Sequence, residues 1–359
     1  MPEPLRVAYT LEQCWHPVPG GTATAALRTA GALASRDDVE LIGVAGRHRR
    51  APDAAFTPPV AVRQLPIGRP WLYETWQRFG RPRVETVTGP IDVCHSTTTL
   101  PAATTAPHVV TVHDVAFVHT PERFTRHGAR VMRAGLERCR RADLVMCPSQ
   151  VVADDLTALG FGADRLRVVP WGVDPVDPTT IDAEAVRRRL DLPERFVLFV
   201  GTVEPRKNLD RLVRAMGRLD ERIPLVIVGA AGWGDAGPEP VDGCTFLGFV
   251  PDATLHDLYA VADVLAYPSL EEGFGLPVLE AMAHGLPVVT SRGTATEEVA
   301  AGAAVLVDPT DVDSIAAGID DALDAHDRWA LLGRQRAAAC TWASTAAATV
   351  AVYREVAPS

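Results

Sequence analysis

The stretch EEGFGLPVLEAMAHGLPVVT, residues 271–290, sets two carboxylates, Glu272 and Glu280, around the glycine-bearing turn Gly273-Phe274-Gly275. Pro277 stands where a helix can begin, because its fixed φ suits a first turn and its missing N–H is no loss there. The free N–H groups of that turn, with the helix dipole behind them, form a ready anion site. Glu280 then lies about one turn inside the helix, and Glu272 stays on the loop before it. One carboxylate can face sugar hydroxyls and the other a ribose, with phosphate between them. A loop entering a buried helix with both glutamates solvated gives the same pattern, so the stretch needs a second motif beside it.

That motif is Gly201-Thr202-Val203-Glu204-Pro205-Arg206-Lys207-Asn208. The apolar run Phe196–Val200 before it reads as a buried strand, and Gly201 lets the backbone turn sharply and leaves room for a ligand. Arg206 and Lys207 are adjacent cations at the mouth of the next helix. They suit a diphosphate, Arg as a planar fork and Lys as a point charge.

GTVEPRKNL, followed about 65 residues on by Glu272 and Glu280 at E-x7-E spacing, resembles the retaining family-4 glycosyltransferases, the glycosyl transferases group 1. The resemblance covers nearly the whole chain, most strongly Val197 to Val307 and adequately Leu5 to Gly172. It implies an α/β chain of GT-B fold, with two Rossmann-like doubly wound domains facing a central cleft. It also implies hexosyl transfer from a nucleotide sugar. In that family the lysine contacts the donor diphosphate, a role that falls here on Lys207 with Arg206. The first glutamate and the backbone beside it hold the donor sugar, which points to Glu272, Gly273, Phe274, Gly275 and Leu276. The second glutamate, Glu280, would hold the ribose, and the base would rest by Gly248-Phe249-Val250. Some members carry an arginine directly after the strand glycine. Thr202 stands there in this chain, so phosphate binding falls more heavily on Arg206 and Lys207.

A chain of 359 residues exceeds what one hydrophobic core usually organises. Strand and helix patterns alternate along it, as for parallel sheets covered by helices. Residues 1–173 read as an acceptor-side domain, to which 342–359 returns as a last helix. Residues 174–193 read as a hinge and 194–341 as the nucleotide-sugar domain. The net charge of −10 argues against a nucleic-acid partner. Six scattered cysteines without a C-x-x-C pair suit reduced thiols in a cytoplasmic enzyme. No basic-then-apolar leader opens the sequence, and no apolar run approaches the roughly 20 residues that span a bilayer.

The doubly wound pattern also fits a dinucleotide oxidoreductase, whose fingerprint is G-x-G-x-x-G between the first strand and its helix. The first turn here has only Gly20-Gly21, after His16-Pro17-Val18-Pro19 and before a helix expected over Ala23–Ser35. The cluster Gly229-Ala230-Ala231-Gly232-Trp233-Gly234 has the wrong spacing and runs into Asp235, Gly237 and Pro238. Two further alternatives remain: a non-catalytic GT-B binding or scaffold subunit, and a GT-B sugar-nucleotide epimerase.

Gly20 and Gly21 offer backbone N–H groups to a phosphate, and resemble the family's glycine loop that reaches over the donor. The resemblance places the family's active-site histidine at His113, in the run TVHD after the strand His108–Val112. His113, Glu272 and Lys207 are therefore the expected catalytic residues. Asp114 is expected to orient His113 or bind acceptor, Glu12 and Trp15 to line the acceptor side, and His16, His95 and His119 are weaker candidates. The implied reaction needs no metal and no cofactor, because Arg206, Lys207 and a helix N-terminus offset charge on the departing diphosphate. Asp311 and Asp313 open a helix and read as caps, not metal ligands. The sequence does not fix the donor or the acceptor; the resemblance implies a GDP- or UDP-linked donor, leaning to GDP-mannose, and a sugar, lipid or small-molecule acceptor. Glu272 and Lys207 are expected on surface-facing loops, where truncation costs little stability. The segment 122–143 gathers Arg123, Arg126, Arg130, Arg133, Arg138, Arg140 and Arg141. Such a run is either a solvated helix face or a peripheral contact with an anionic membrane surface, centred on Arg126, Arg130 and Arg133.

Overall fold

The computed structural model describes residues 3–16, 20–177, 181–230 and 243–358. The chain forms two compact units, Met1–Trp171 with Trp342–Ser359, and Gly172–Thr341. Each is built on a parallel sheet, whose strands are short runs of buried β-branched and aliphatic residues because helices cover both faces.

The strands of the first unit are β1 (Leu5–Thr10), β2 (Val39–Ala45), β3 (Val62–Gln64), β4 (Val93–Ser96), β5 (His108–Thr111), β6 (Leu144–Cys147) and β7 (Leu166–Val168). They lie in the order β3-β2-β1-β4-β5-β6-β7, with Leu5 beside Val39 and Val7 beside Val93. The direction of winding reverses between β1 and β4, the place where doubly wound sheets open a crevice at their carboxyl ends. β3 escapes a reading of the sequence because Val-Arg-Gln is short, polar and at the sheet edge. The helix after β1 runs Gly20–Ala34, so the glycine pair opens it and does not precede it. Pro17–Pro19 lie outside the described residues. The helix Trp342–Val356 packs on Gly20–Ala34 and buries Ala346, Val350 and Tyr353 in the same core as Tyr9 and Leu33. Those three recur at helical spacing, so one stripe of the helix faces the core.

The second unit contains β8 (Val197–Val200), β9 (Leu225–Val228), β10 (Cys244–Gly248), β11 (Val264–Tyr267), β12 (Val288–Ser291) and β13 (Val305–Val307), in the order β10-β9-β8-β11-β12-β13. Leu198 pairs with Val226 on one side and Leu265 on the other, which centres β8 in the sheet. The stretch expected as a hinge, 174–193, contains a helix, Ala183–Leu190, capped by Asp182 accepting from the Ala185 N–H. Its Arg187 donates to the Val261 carbonyl, so the helix belongs to the second unit. Residues 178–180 are outside the described residues. So is 231–242, and with it most of the glycine cluster weighed as a dinucleotide fingerprint, Gly232 to Pro238. Asp311 caps the helix Val312–Asp324 by accepting from the Asp313 N–H.

Candidate active site

In the second unit, the loops after β8 and β11 meet at the carboxyl edge of the sheet. β8 ends in Gly201, and the end of β9 comes so close that a Cβ on Gly229 would stand 2.1 Å from the Gly201 carbonyl oxygen. Only glycine fits Gly229. The chain then makes a 3-10 turn over Pro205–Lys207 and enters the helix Leu209–Met216 through Asn208, held at φ 63. A non-glycine residue adopts that left-handed conformation when its side chain is held locally. Asn208 is 4% exposed and donates to the Pro268 and Pro309 carbonyls at 2.9 and 2.6 Å.

This fastening sets the Lys207 ammonium against Glu272. Nζ stands 2.6 Å from Glu272 Oε1 and 2.5 Å from the Tyr267 hydroxyl, to which it donates. Arg206 Nη1 reaches the other carboxylate oxygen at 3.1 Å and the Glu271 carbonyl at 3.3 Å, while its Nε pairs with Glu204 at 2.9 Å. Side-chain exposure is 9% for Lys207 and 7% for Glu272. They do not project from surface-facing loops as expected; they form a buried pair. Burial alone would raise the Glu272 pKa, but the charges of Lys207 and Arg206 hold it down at about 2. Burial draws Lys207 below the usual lysine range against the opposing pull of Glu272. Both pack against Tyr267, whose hydroxyl is pushed well above its ordinary range by burial and the Glu272 charge.

Glu272 leads into Gly273, Phe274 and Gly275, all buried, and then the helix Leu276–His284. Gly275 is the N-cap at φ 101, and a Cβ there would meet Thr296 Cγ2 at 2.6 Å. Pro277 is the second residue of the helix and costs it no hydrogen bond. Glu280, one turn in, accepts from the Tyr259 hydroxyl at 2.9 Å. Val250 follows Gly248 and the 64% exposed Phe249 beyond β10. The structure thus joins Arg206, Lys207 and Glu272 directly. It gives Glu280 a separate partner on the neighbouring helix Asp252–Val261.

In the first unit His113 follows β5, and its Nε2–H donates to the Thr97 carbonyl at 2.7 Å. Thr97 is itself held by Thr10 and by Gln13, whose Nε2 donates to Thr97 Oγ1 at 2.7 Å. The buried Nδ1 of His113 has no hydrogen-bond partner. Its ring lies 5.2 Å from that of Trp171, in the wall of a small cavity shared with Thr29 and Thr345. Burial lowers the His113 pKa, so the ring is neutral and Nδ1 is an acceptor. Asp114 turns its carboxylate to the Ala116 N–H at 3.1 Å. His95 is a core residue between Tyr353 and Thr111, 2.7 Å from each, and burial pushes it down to about 3. His119 stands 3.9 Å from Asp155, and His16 faces the Tyr73 hydroxyl at 3.4 Å. Gly20 and Gly21 leave open space where side chains would project. Among the described residues no group of three or more His, Cys, Asp or Glu is placed to hold a metal ion.

Residues 181–336 match the family described as glycosyl transferases group 1, and residues 19–177 match glycosyltransferase family 4. The O-antigen chain mannosyltransferase B of Escherichia coli is 33% identical over 266 residues, covering 68% of this chain and 70% of that one. This chain belongs to glycosyltransferase family 4.

A D-inositol 3-phosphate glycosyltransferase of Mycolicibacterium smegmatis is 36% identical over 59% of this glycosyltransferase and 52% of its own length. The match to that relative therefore takes in about half of it. The GT-B fold is shared with Anabaena Alr3699/HepE, solved in complex with UDP and glucose, at a TM-score of 0.73 and 20% identity over 98% of this chain and 100% of that one. WaaG, a glycosyltransferase involved in lipopolysaccharide biosynthesis, superimposes at 0.68 with 20% identity over 96% of this chain and 99% of that one. Tyr267, Tyr259 and Asn208 escaped the sequence reading. Tyr267 ends an apolar strand and Tyr259 sits in a helix, so both read as core. Asn208 beside Arg206 and Lys207 was the available signal, since asparagine is among the residues other than glycine that most readily take a left-handed cap.

Proposed function

We propose that this chain is a retaining, metal-independent hexosyltransferase, moving a hexose from a nucleotide sugar to an acceptor hydroxyl, with GDP-mannose the leading donor. The observation that carries the reading is the cluster of Arg206, Lys207 and Glu272 at the carboxyl edge of the second sheet, beside a helix that starts at Leu276. Two cations and a helix N-terminus supply what a departing diphosphate needs as its charge grows. The bond from the anomeric carbon to phosphate breaks, and a bond to the acceptor oxygen forms on the same face. The acceptor proton passes to the departing phosphate oxygen, so the configuration is kept. Glu272 releases the cations toward phosphate and takes sugar hydroxyls, and Glu280, already aligned by Tyr259, takes the ribose. His113, with Nδ1 uncommitted, accepts from a sugar hydroxyl. The mannosyl preference is supported by the identity to the Escherichia coli mannosyltransferase.

Contact with an anionic membrane surface is part of the proposal. Arg126, Arg130 and Arg133 are exposed on the helix Arg126–Cys139, and Phe124 before it is 37% exposed. On the adjoining helix Trp71–Phe79 the end residues are 68% and 72% exposed. No helix among the described residues is long and apolar enough to cross a membrane.

The test is a panel of GDP- and UDP-sugars, read by thermal shift and then by turnover. A donor at a hundred times its Kd adds about 2.7 kcal/mol, or roughly 5–10 °C for a unit of this size. GDP-mannose should give the largest shift, turnover should survive EDTA, and the product should keep the donor's anomeric configuration. Loss of turnover on chelation with recovery on Mg²⁺ or Mn²⁺ would overturn the metal-free mechanism. An inverted product would overturn the retaining one.

A further inference from the structure

The Tyr267 hydroxyl stands inside the donor-side cluster, and the transfer reaction above gives it no task. Lysine has three N–H donors and no acceptor. Among the described residues, Lys207 Nζ gives them to two oxygens, the Tyr267 hydroxyl at 2.5 Å and Glu272 Oε1 at 2.6 Å. Different demands fall on the two. In the reaction Glu272, on a loop, turns from the cations to the donor sugar, whereas Tyr267 is fixed in the sheet. It ends β11, is 1% exposed, and pairs with Thr290 of β12, whose Oγ1 donates to the Tyr267 carbonyl at 3.0 Å. Its ring lies along that of Phe199 in β8, with centroids 6.4 Å apart. Pro268, the next residue, offers the carbonyl that holds Asn208, and the Leu270 N–H donates to the Arg206 carbonyl at 2.7 Å. The end of β11 therefore grips Lys207 at its ammonium and by the backbone on either side.

The two cations are not equally provided for once Glu272 turns away. Arg206 keeps Glu204 at 2.9 Å. Lys207 keeps the phenol. With its side chain 9% exposed, Lys207 cannot exchange a lost carboxylate for water, and a buried cation left unpartnered is costly. Its stem is flexible and its charge a point, so the place of Nζ is set by whichever acceptor remains. Burial and the Glu272 charge hold the phenol protonated, and its lone pairs accept from the ammonium. The face of the same ring, its centre 4.9 Å away, attracts the cation as well. A phosphate oxygen then meets an ammonium already aimed, and less freedom is lost when it binds.

We propose that Tyr267 is a positioning residue for transfer, holding the Lys207 ammonium at the donor phosphate while Glu272 is turned to the sugar. This role rests on the donor-site reading. Tyr267 touches Lys207 and not the substrate.

Tyr267→Phe removes the hydroxyl and keeps the ring, so β11 stays packed. Calorimetry with GDP and UDP on the full chain, beside thermal midpoints taken without nucleotide, separates positioning from packing. Without nucleotide Glu272 still satisfies Lys207, so the midpoint should fall by no more than about 4 °C, the worth of one hydrogen bond in a unit of this size. Affinity for whichever nucleotide wild type binds better should fall about tenfold. Glu272→Gln removes the competing charge from both cations and should bind that nucleotide at least as tightly as wild type. A Tyr267→Phe affinity within twofold of wild type would overturn the proposal, and a midpoint lowered further with it would leave the hydroxyl a packing group. Nucleotide binding weakened tenfold by Glu272→Gln would also overturn it, because the carboxylate would then be what places the ammonium. A wild type that binds neither GDP nor UDP would overturn the donor reading itself and this role with it, whereas the variant outcomes count against Tyr267 alone.

Discussion

Glu272→Ala removes the carboxylate from a buried ammonium, and the cost differs from that at a surface loop. Deleting one partner of a buried pair leaves the other charge uncompensated, worth roughly 3–5 kcal/mol. The folded protein should therefore lose stability in urea as well as transfer, where the sequence alone pointed to a loss of transfer at little cost in stability. Glu272→Gln keeps a hydrogen-bond acceptor for Lys207 and should cost less, yet it too should abolish transfer. A Glu272→Ala protein with wild-type midpoint and turnover would remove this residue from the site. The same pair sets an acid limit. Glu272 falls from 4.5 to about 2 on folding. Its contribution is complete above the unfolded value and is lost as pH falls through the folded one. Stability should thus drop between about pH 4.5 and 2, by an amount on the order of 3 kcal/mol. In Glu272→Gln that part of the acid transition should vanish. The spacing of Lys207, Glu272 and Glu280 was legible because phosphate chemistry restricts which residues stand at a strand end and a helix start. Their burial was not, because it depends on Tyr267 and Asn208, whose contacts cross 60 positions of sequence.

The basic helix Arg126–Cys139 divides its arginines by face. Arg138 donates to the Gln77 carbonyl, and Arg140 holds the Leu159 and Gly160 carbonyls and lies over the Phe161 ring. The Arg123 side chain is outside the described residues. What read as one run of charge therefore divides into arginines that hold neighbouring carbonyls and arginines that face solvent, and composition does not separate them. For the exposed three, attraction to an anionic surface is worth about 1 kcal/mol per charge and weakens with salt. Replacing Arg126, Arg130 and Arg133 with Gln should reduce sedimentation with anionic vesicles more than a hundredfold at low salt, while donor binding in the other unit stays unchanged. Absence of wild-type vesicle binding at low salt would leave the face merely solvated. Most strands were legible as apolar runs between turns. The helix Ala183–Leu190 was not, since neighbouring prolines drew the whole stretch toward a linker reading, and Val186 is its buried contact.

At the scale of the molecule, the chain leaves its first unit at Trp171 and re-enters it at Trp342. The returning helix supplies Tyr353, fully buried, whose hydroxyl pairs with His95, and Thr345, which donates to the Pro170 carbonyl at 2.8 Å. Ending the chain at Thr341 should expose the core around Tyr9 and unfold or loosen the first unit. The second unit, complete by then, should keep its sheet and its affinity for nucleotide. Loss of both transitions in calorimetry would mean the units are not separable in this way. A milder change, Tyr353→Phe, leaves His95 Nδ1 without its buried partner and should cost about 1–3 kcal/mol.

The same path has a consequence for biosynthesis. Domains usually fold in the order in which they leave the ribosome. Here the second unit has all of its residues once Thr341 is made, whereas the first still awaits the segment that starts at Trp342. The half of the enzyme translated first is the half that matures last. Until then the groove that the helix Trp342–Val356 will fill, along Gly20–Ala34, is an apolar surface open to solvent.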